Sequence, residues 1–197
     1  MLFEGGWTNV KLYFMIGLPT ETHEDILGIA DLSQKVLDTY FSIPKEERAK
    51  NINITTSTSS FIPKPFTAFQ WAKQDTREEI IEKQDTLKAA ITSRRIRYNW
   101  HEAKVSFVEA VFARGDRRVG PVIEEAMHRG AKLDGWDEYF NYAKWFDAFQ
   151  ECGIDADFYT TRGYGEDEIL PWDIIDVGVS KKFLRLERKR AYAETVT

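Results

Sequence analysis

"KLYFMIGLPTETHED", residues 11–25, is the stretch that decides the fold class. From Val10 to Ile16 the chain is apolar apart from Lys11, and a continuous apolar run suits a strand covered on both faces, as in parallel sheets. Gly17-Leu18-Pro19 then ends the strand. Glycine permits close approach of the backbone to a neighbour, and proline fixes the path of the turn. Thr22 and Asp25 have the spacing of a capping box, and Ile26, Ile29, Ala30, Leu37 and Tyr40 follow along one helical face. A strand, a built turn and a capped helix make a β–α unit. In barrels and open α/β sheets ligands bind at this carboxyl end, so the turn either serves a ligand or is simply a well-made connection.

Ser42-Ile43-Pro44-Lys45 breaks the helical pattern, and residues 51–61 read as a second strand. Its Asn53, Thr55, Ser57 and Ser59 alternate with Ile52, Ile54, Thr56 and Thr58, a polar face that suits a solvent-filled barrel mouth better than a dry core. "FIPKPFTAFQW", residues 61–71, comes next. Its two prolines hold it extended, and its aromatics either cover the end of the sheet or wall a pocket with Lys64 and Gln70 as polar contacts. Thr76 opens another helix, with a face of Ile80, Ile81, Leu87, Ile91 and Ile96, and a short strand is expected at Ala103–Phe107. This alternation predicts parallel strands joined by crossover helices. Two or three strands close no barrel. Residues 1–104 are therefore expected to be a piece of an α/β barrel or open sheet, cut short at the N-terminus, with strand 10–16 at an exposed edge.

From residue 105 the pattern turns helical. Helices are predicted over Val108–Arg114, Val119–Arg129 and Trp136–Cys152, separated by Gly115-Asp116, Gly130 and Gly135. In the third, Asp134 is the expected cap, Asp137 and Glu138 are first-turn acids, and Trp136, Phe140 and Trp145 supply packing surface. Residues 153–179 are rich in turns, and Ser180 can cap a basic helix over Lys181–Tyr192.

The 197 residues are 43% hydrophobic and 30% charged, with a net charge of -5. That acidity argues against a general nucleic-acid binder, although "KKFLRLERKR" (residues 181–190) is either a solvated face or a contact for RNA phosphates. Cys152 is the single cysteine, which excludes an intramolecular disulfide and a cysteine metal cage. His23, His101 and His128 have no ligand-pair spacing. No apolar run reaches the roughly 20 residues that span a bilayer, and no signal peptide opens the chain, so a cytoplasmic location is expected. Two acids at strand ends would suggest a carboxylate-based hydrolase, but Glu21 is the one such acid the sequence offers.

"KLYFMIGLPTETHEDI" together with "SSFIPKPFTAFQW" resembles the later part of a radical S-adenosylmethionine (SAM) barrel. Within that superfamily it is most similar to large proteins with a cobalamin-binding-type domain upstream. "VEAVFARGDRRVGPVIEEA", "LDGWDEYFNYAKWFDAFQECGID" and "LPWDIIDVGVSKKFLRLE" resemble their C-terminal extension, so the likeness covers nearly the whole chain. It implies a partial (β/α) TIM-type barrel over residues 1–104, followed by a mainly helical extension over 105–197. Met15, Ile16 and Gly17 would lie near the SAM adenine, and Leu18, Pro19 and Glu21 would shape the pocket, with Glu21 and Thr22 organising the turn. Pro63, Lys64, Pro65 and Gln70 would line the substrate opening. In the family an electron from a [4Fe–4S] cluster splits SAM into methionine and a 5′-deoxyadenosyl radical, which abstracts hydrogen from substrate.

The cluster motif Cys-x-x-x-Cys-x-x-Cys is absent here. The cluster and the Gly-rich SAM segment are thus expected upstream, in a missing N-terminal barrel half that is this chain's expected partner, with the cobalamin-type domain also upstream. Alone, the chain is expected to hold neither SAM nor cluster stably. The alternatives are a non-catalytic module that binds a partner through its sheet edge or aromatic loop, and, within the class, an RNA-modifying enzyme.

Overall fold

A computed structural model describes residues 3–136 and 138–193. The chain forms two compact units. The first runs to Phe61 and resumes over Glu78–His101, and the second comprises Ile62–Arg77 and everything from Glu102. The division expected after residue 104 falls after 101, and residues 62–77 join the second unit.

The first unit is α/β. β1 (Asn9–Ile16), β2 (Asn53–Ser60) and β3 (Ile96–Trp100) form an open, wholly parallel sheet in the order β1-β2-β3. α1 (His23–Phe41) and α2 (Arg77–Ala90) make the crossovers. The pairing register places Lys11, Thr55 and Arg97 side by side, then Tyr13, Ser57 and Asn99, then Met15 and Ser59. Period-two alternation sends these residues to one face and their even-numbered neighbours to the other. Phe14, Ile16 and Tyr98 on the even face pack with Ile26, Ile29 and Ala30 of α1 and Leu87 of α2. Val10, Leu12, Ile54 and Ile96 pack with Leu37 and Tyr40.

β1 therefore departs from its expected burial on both faces. Tyr13 is 73% exposed and Met15 is also exposed, so only the even side of that apolar run is covered. The polarity of β2 also extends to its helix-facing side. Thr56 is buried, and its hydroxyl lies 2.7 Å from that of Ser33, which donates to Ile29 O. With the single Ser33 proton so placed, Thr56 is the donor between them. Thr58 meets the Tyr98 hydroxyl at 2.8 Å, and burial pushes that phenol above its usual pKa.

The capping box on α1 forms as expected. Asp25 N donates to Thr22 Oγ1 and Thr22 N to Asp25 Oδ2, and these bonds hold the Asp25 carboxyl below its ordinary pKa.

The third strand lies at Ile96–Trp100, not at Ala103–Phe107, which begins helix α3 (Ala103–Arg114). Five residues of Ala103–Phe107 mimic strand alternation, but Ala103, Ser106, Phe107, Ala110, Val111 and Arg114 are buried at helical spacing. Ile96, expected on the helix before it, is the first residue of β3.

In the second unit a 3₁₀ turn (Arg117–Val119) leads into α4 (Gly120–His128), followed by α5 (Tyr142–Glu151), α6 (Ala156–Thr160) and α7 (Lys181–Tyr192). α5 starts six residues later than the expected Trp136 and is capped by Asn141, whose Oδ1 accepts from Ala143 N at 3.0 Å. Asp134 is not its cap and Glu138 is not in its first turn, while Asp137 lies outside the described residues. The buried stripe that sustains this helix, Trp145, Ala148 and Phe149, begins only at Trp145, whereas Trp136 and Tyr139 are exposed. Ser180 caps α7 as expected, accepting from Phe183 N.

Phe107, Val111, Val122, Trp145 and Phe149 form one core of this unit, and Trp71, Tyr164, Leu170, Trp172 and Leu184 form another. Among the described residues no helix is long and apolar enough to cross a membrane.

At the start of the 3₁₀ turn, Asp116 accepts from Arg118 N, Nε and Nη2, and the Arg118 side chain draws its carboxyl down to about 2. A carboxyl lowered in the folded state stabilises it above the unfolded value near 4, and that contribution disappears as pH falls from about 4 to about 2. Asp116→Asn should therefore be less stable than wild type at pH 6, with the gap closing towards pH 2. Urea midpoints across that range read it, and a gap that does not change with pH would refute the assignment.

Candidate functional site

Three features converge at the carboxyl end of the first unit's sheet. The first is the turn after β1. Gly17 has φ +84°, a left-handed conformation that glycine adopts without strain. Its N–H donates to both Glu21 oxygens, at 2.9 and 3.0 Å, and Lys83 of α2 pairs with Glu21 Oε1 at 2.7 Å. The Glu21 side chain is only 5% exposed. The turn is thus closed by a carboxylate that spans it and is tied to α2. Gly17→Ala should cost about 1 kcal/mol or somewhat more, because the left-handed conformation is preserved only against the Cβ. A loss within error of zero in chemical denaturation would count against that geometry.

The second feature is the odd face of the sheet, a surface of hydroxyls, amides and exposed Tyr13 and Met15. A shallow depression of about 240 Å³ at its upper end is lined by Tyr13, Ser57, Ser59, Asn99, Trp100 and His101. The third is the end of β3, held by Gln84 Nε2 donating to His101 O at 2.9 Å and by His101 N donating to Thr58 O at 3.1 Å.

The residues singled out from sequence divide within this arrangement. Met15 and Leu18 present exposed side chains. The Ile16 side chain is fully buried beneath the helices, and its carbonyl accepts from Phe61 N at 2.7 Å. Pro19 is half-buried in the turn, and Glu21 organises it as expected. The substrate-side loop is part of the second unit. Lys64 there pairs with Glu109 at 2.6 Å. Pro63 is buried and Pro65 half-buried. Gln70 is buried, with Oε1 accepting from Phe66 N and from the Trp172 indole at 2.7 Å. Its carbonyl end is therefore committed to the loop's own fold.

The sequence alone does not bring Tyr13, Asn99 and His101 together. The alternation of Arg97 and Asn99 with Ile96, Tyr98 and Trp100 was the available signal for two of them. Lys83, 62 positions from Glu21, had no local signal.

Among the described residues no three His, Cys, Asp or Glu side chains are grouped to hold a metal ion. His23, His101 and His128 are all exposed. Cys152 is half-buried at the end of α5, packed against that helix's core.

Among curated proteins, an uncharacterized protein of Methanocaldococcus jannaschii is 27% identical over 149 residues, which cover 76% of this chain and 31% of the relative. The match thus spans about a third of that longer protein. No family model matches the chain, and no solved structure matches it.

Proposed function

We propose that the chain is the C-terminal part of a radical SAM enzyme. Its β1–β3 sheet would complete the barrel, and its Gly17 turn and polar sheet face would complete the SAM and substrate pocket. The observation that carries this reading is the consecutive parallel sheet with its crossover helices packed on one face. The other face is largely polar and exposed, which suits the open mouth of a barrel segment.

The residues present fit SAM only in part. Met15, Leu18 and Tyr13 offer apolar contact, and Ser57, Ser59 and Asn99 offer hydrogen bonds, but among the described residues lining the depression none is a Lys, Arg, Asp or Glu to take the SAM carboxylate or ammonium. They do not fit a [4Fe–4S] cluster at all, because one cysteine cannot ligate it and that cysteine is in the second unit. No step of the reaction is therefore assigned to this chain's side chains. Their role is to shape and orient: the Glu21–Lys83 pair fixes the turn, and the hydroxyl rows position a polar substrate against the sheet.

The test begins with the coding sequence upstream of Met1. A continuous frame encoding Cys-x-x-x-Cys-x-x-Cys, and a longer protein that forms 5′-deoxyadenosine from SAM after anaerobic reconstitution, would support the proposal. A stop codon just upstream, with no cluster-bearing gene adjacent, would leave partner binding through the sheet as the better reading.

A further inference from the structure

The outward face of α7 has an unusual composition. Its inner side is anchored: Leu184 is buried with Trp71 and Trp172, and the Arg188 guanidinium lies over the Trp71 and Tyr192 rings. Opposite, Phe183 is 52% exposed and Leu186 is 46% exposed. With Lys182 and Lys189 they form one open face of the helix. Val179, just before the helix, is exposed as well. Large side chains gathered in this way mark a surface that another molecule covers.

Charge decides what kind of molecule. The helix looks strongly basic in sequence, but most of its cations are already matched. Lys181 pairs with Asp173, Arg185 with Asp167, Arg188 with Glu166, and Arg190 with Glu187. Residues 166–190 contain six acids and six bases, so the region has no net positive field to draw RNA or an anionic bilayer. Lys182 and Lys189 are the two without a carboxylate partner among the described residues. They are seven residues apart, about two turns and 10 Å along the helix, and form one rim beside the Phe183 and Leu186 stripe. A second copy of the same face would bring lysines towards lysines.

We propose that this face docks an amphipathic helix of another protein, one whose apolar stripe is flanked by carboxylates two turns apart. The stripe would pack on Phe183 and Leu186, and the carboxylates would pair with Lys182 and Lys189. Such helix-on-helix docking draws affinity from the apolar contact and its register from the rim charges. It is independent of what the sheet of the first unit binds.

The probe is a fluorescein-labelled 16-residue helical peptide with leucines at i, i+3 and i+7 and glutamates seven apart on one flank, titrated by anisotropy. A second peptide replaces those glutamates by lysines. The chain should bind the glutamate peptide at least tenfold more tightly, since two attractive pairs become two repulsive ones. The Lys182→Glu/Lys189→Glu variant should reverse the preference. Phe183→Ser/Leu186→Ser should abolish binding of both, with the circular dichroism spectrum unchanged. Equal binding of the two peptides, or a preference untouched by the charge reversal, would overturn the proposal. So would tighter binding to phosphatidylserine vesicles or to a single-stranded RNA, or a Phe183-dependent dimer in sedimentation.

Discussion

Arg114→Ala should destabilise the second unit by about 4 kcal/mol. Arg114 ends α3 with none of its surface exposed. Its Nη1 donates to Ala72 O at 2.7 Å and to Thr160 O at 3.3 Å, its Nη2 donates to Arg162 O at 3.1 Å, and its guanidinium lies over the Tyr164 ring at 4.4 Å. Among the described residues no carboxylate is bonded to it. Burial pushes the group's pKa down, but guanidinium starts so high that it stays charged, held by carbonyl dipoles and a ring face.

The planar fork thereby ties three remote segments, the 62–77 loop, α6 and the chain after α6, to α3. Truncation to alanine removes the Arg114 donor from Ala72 O and Arg162 O, at about 1–3 kcal/mol for each one truly buried, leaves Thr160 O with its bond from Gln74 N, and opens a large cavity. Arg114→Lys keeps the charge, but a single ammonium cannot span the same carbonyls, so about half of the loss should remain. Arg114→Met restores volume without donors and should stay nearer to alanine than to wild type. Hydrogen exchange of amides in α3 and α6 reads the second unit separately from the sheet. A loss below about 1 kcal/mol for alanine would mean that the carbonyls find water and that the fork is dispensable.

The parts of this chain that rest on local chemistry were legible in its sequence. Thr22 with Asp25, the Ile26 to Tyr40 face and Ser180 each carry their signal within a few residues, and each appears as read. The parallel α/β character followed from the order of strand and helix patterns. Errors gathered where two periodicities overlap over few residues. Ile96 fits the helical face of α2 as well as it fits a strand, and Ala103–Phe107 alternates for five residues before its helical repeat emerges. The sequence pattern starts α5 too early, because acids and aromatics around Asp134–Phe140 imitate a helix start, while the buried stripe that sustains a helix starts at Trp145.

The candidate site was legible at its turn and less so across its sheet. Gly17 and Glu21 announce a built loop, but the face opposite depends on the register that aligns Tyr13 with Ser57 and Asn99, a pairing of residues far apart in sequence. Arg114 shows the same limit more sharply. An arginine at a helix end looks like a solvated C-terminal charge, and only the folded chain brings three carbonyls around it.

Glu21→Ala should cost the first unit about 3 kcal/mol, and the comparison with Glu21→Gln tells what the carboxylate does. Alanine removes the acceptor for Gly17 N–H and the partner of Lys83, in a site where the Glu21 side chain is 5% exposed. Lys83 itself is partly exposed, so water screens that half of the pair and the cost stays below that of a fully buried ion pair. Glutamine keeps an oxygen for Gly17 and gives up the charge, and should lose about half as much. With Lys83→Met added, the double variant should lose less than the sum of the singles by about 1 kcal/mol, the coupling of two groups in contact.

If the proposed radical SAM reading holds and the turn works by holding the end of β1 in place, SAM affinity in a longer, cluster-bearing protein should follow these stabilities. Alanine would weaken SAM binding on the order of 10–100-fold through misplacement of the turn, with glutamine close to wild type. If instead the carboxylate touches SAM directly, glutamine should lose nearly as much affinity as alanine, whatever its stability. The geometry favours the first outcome, because both Glu21 oxygens already accept from Gly17 N–H and one is paired with Lys83, so a ligand would have to displace a bond the turn depends on.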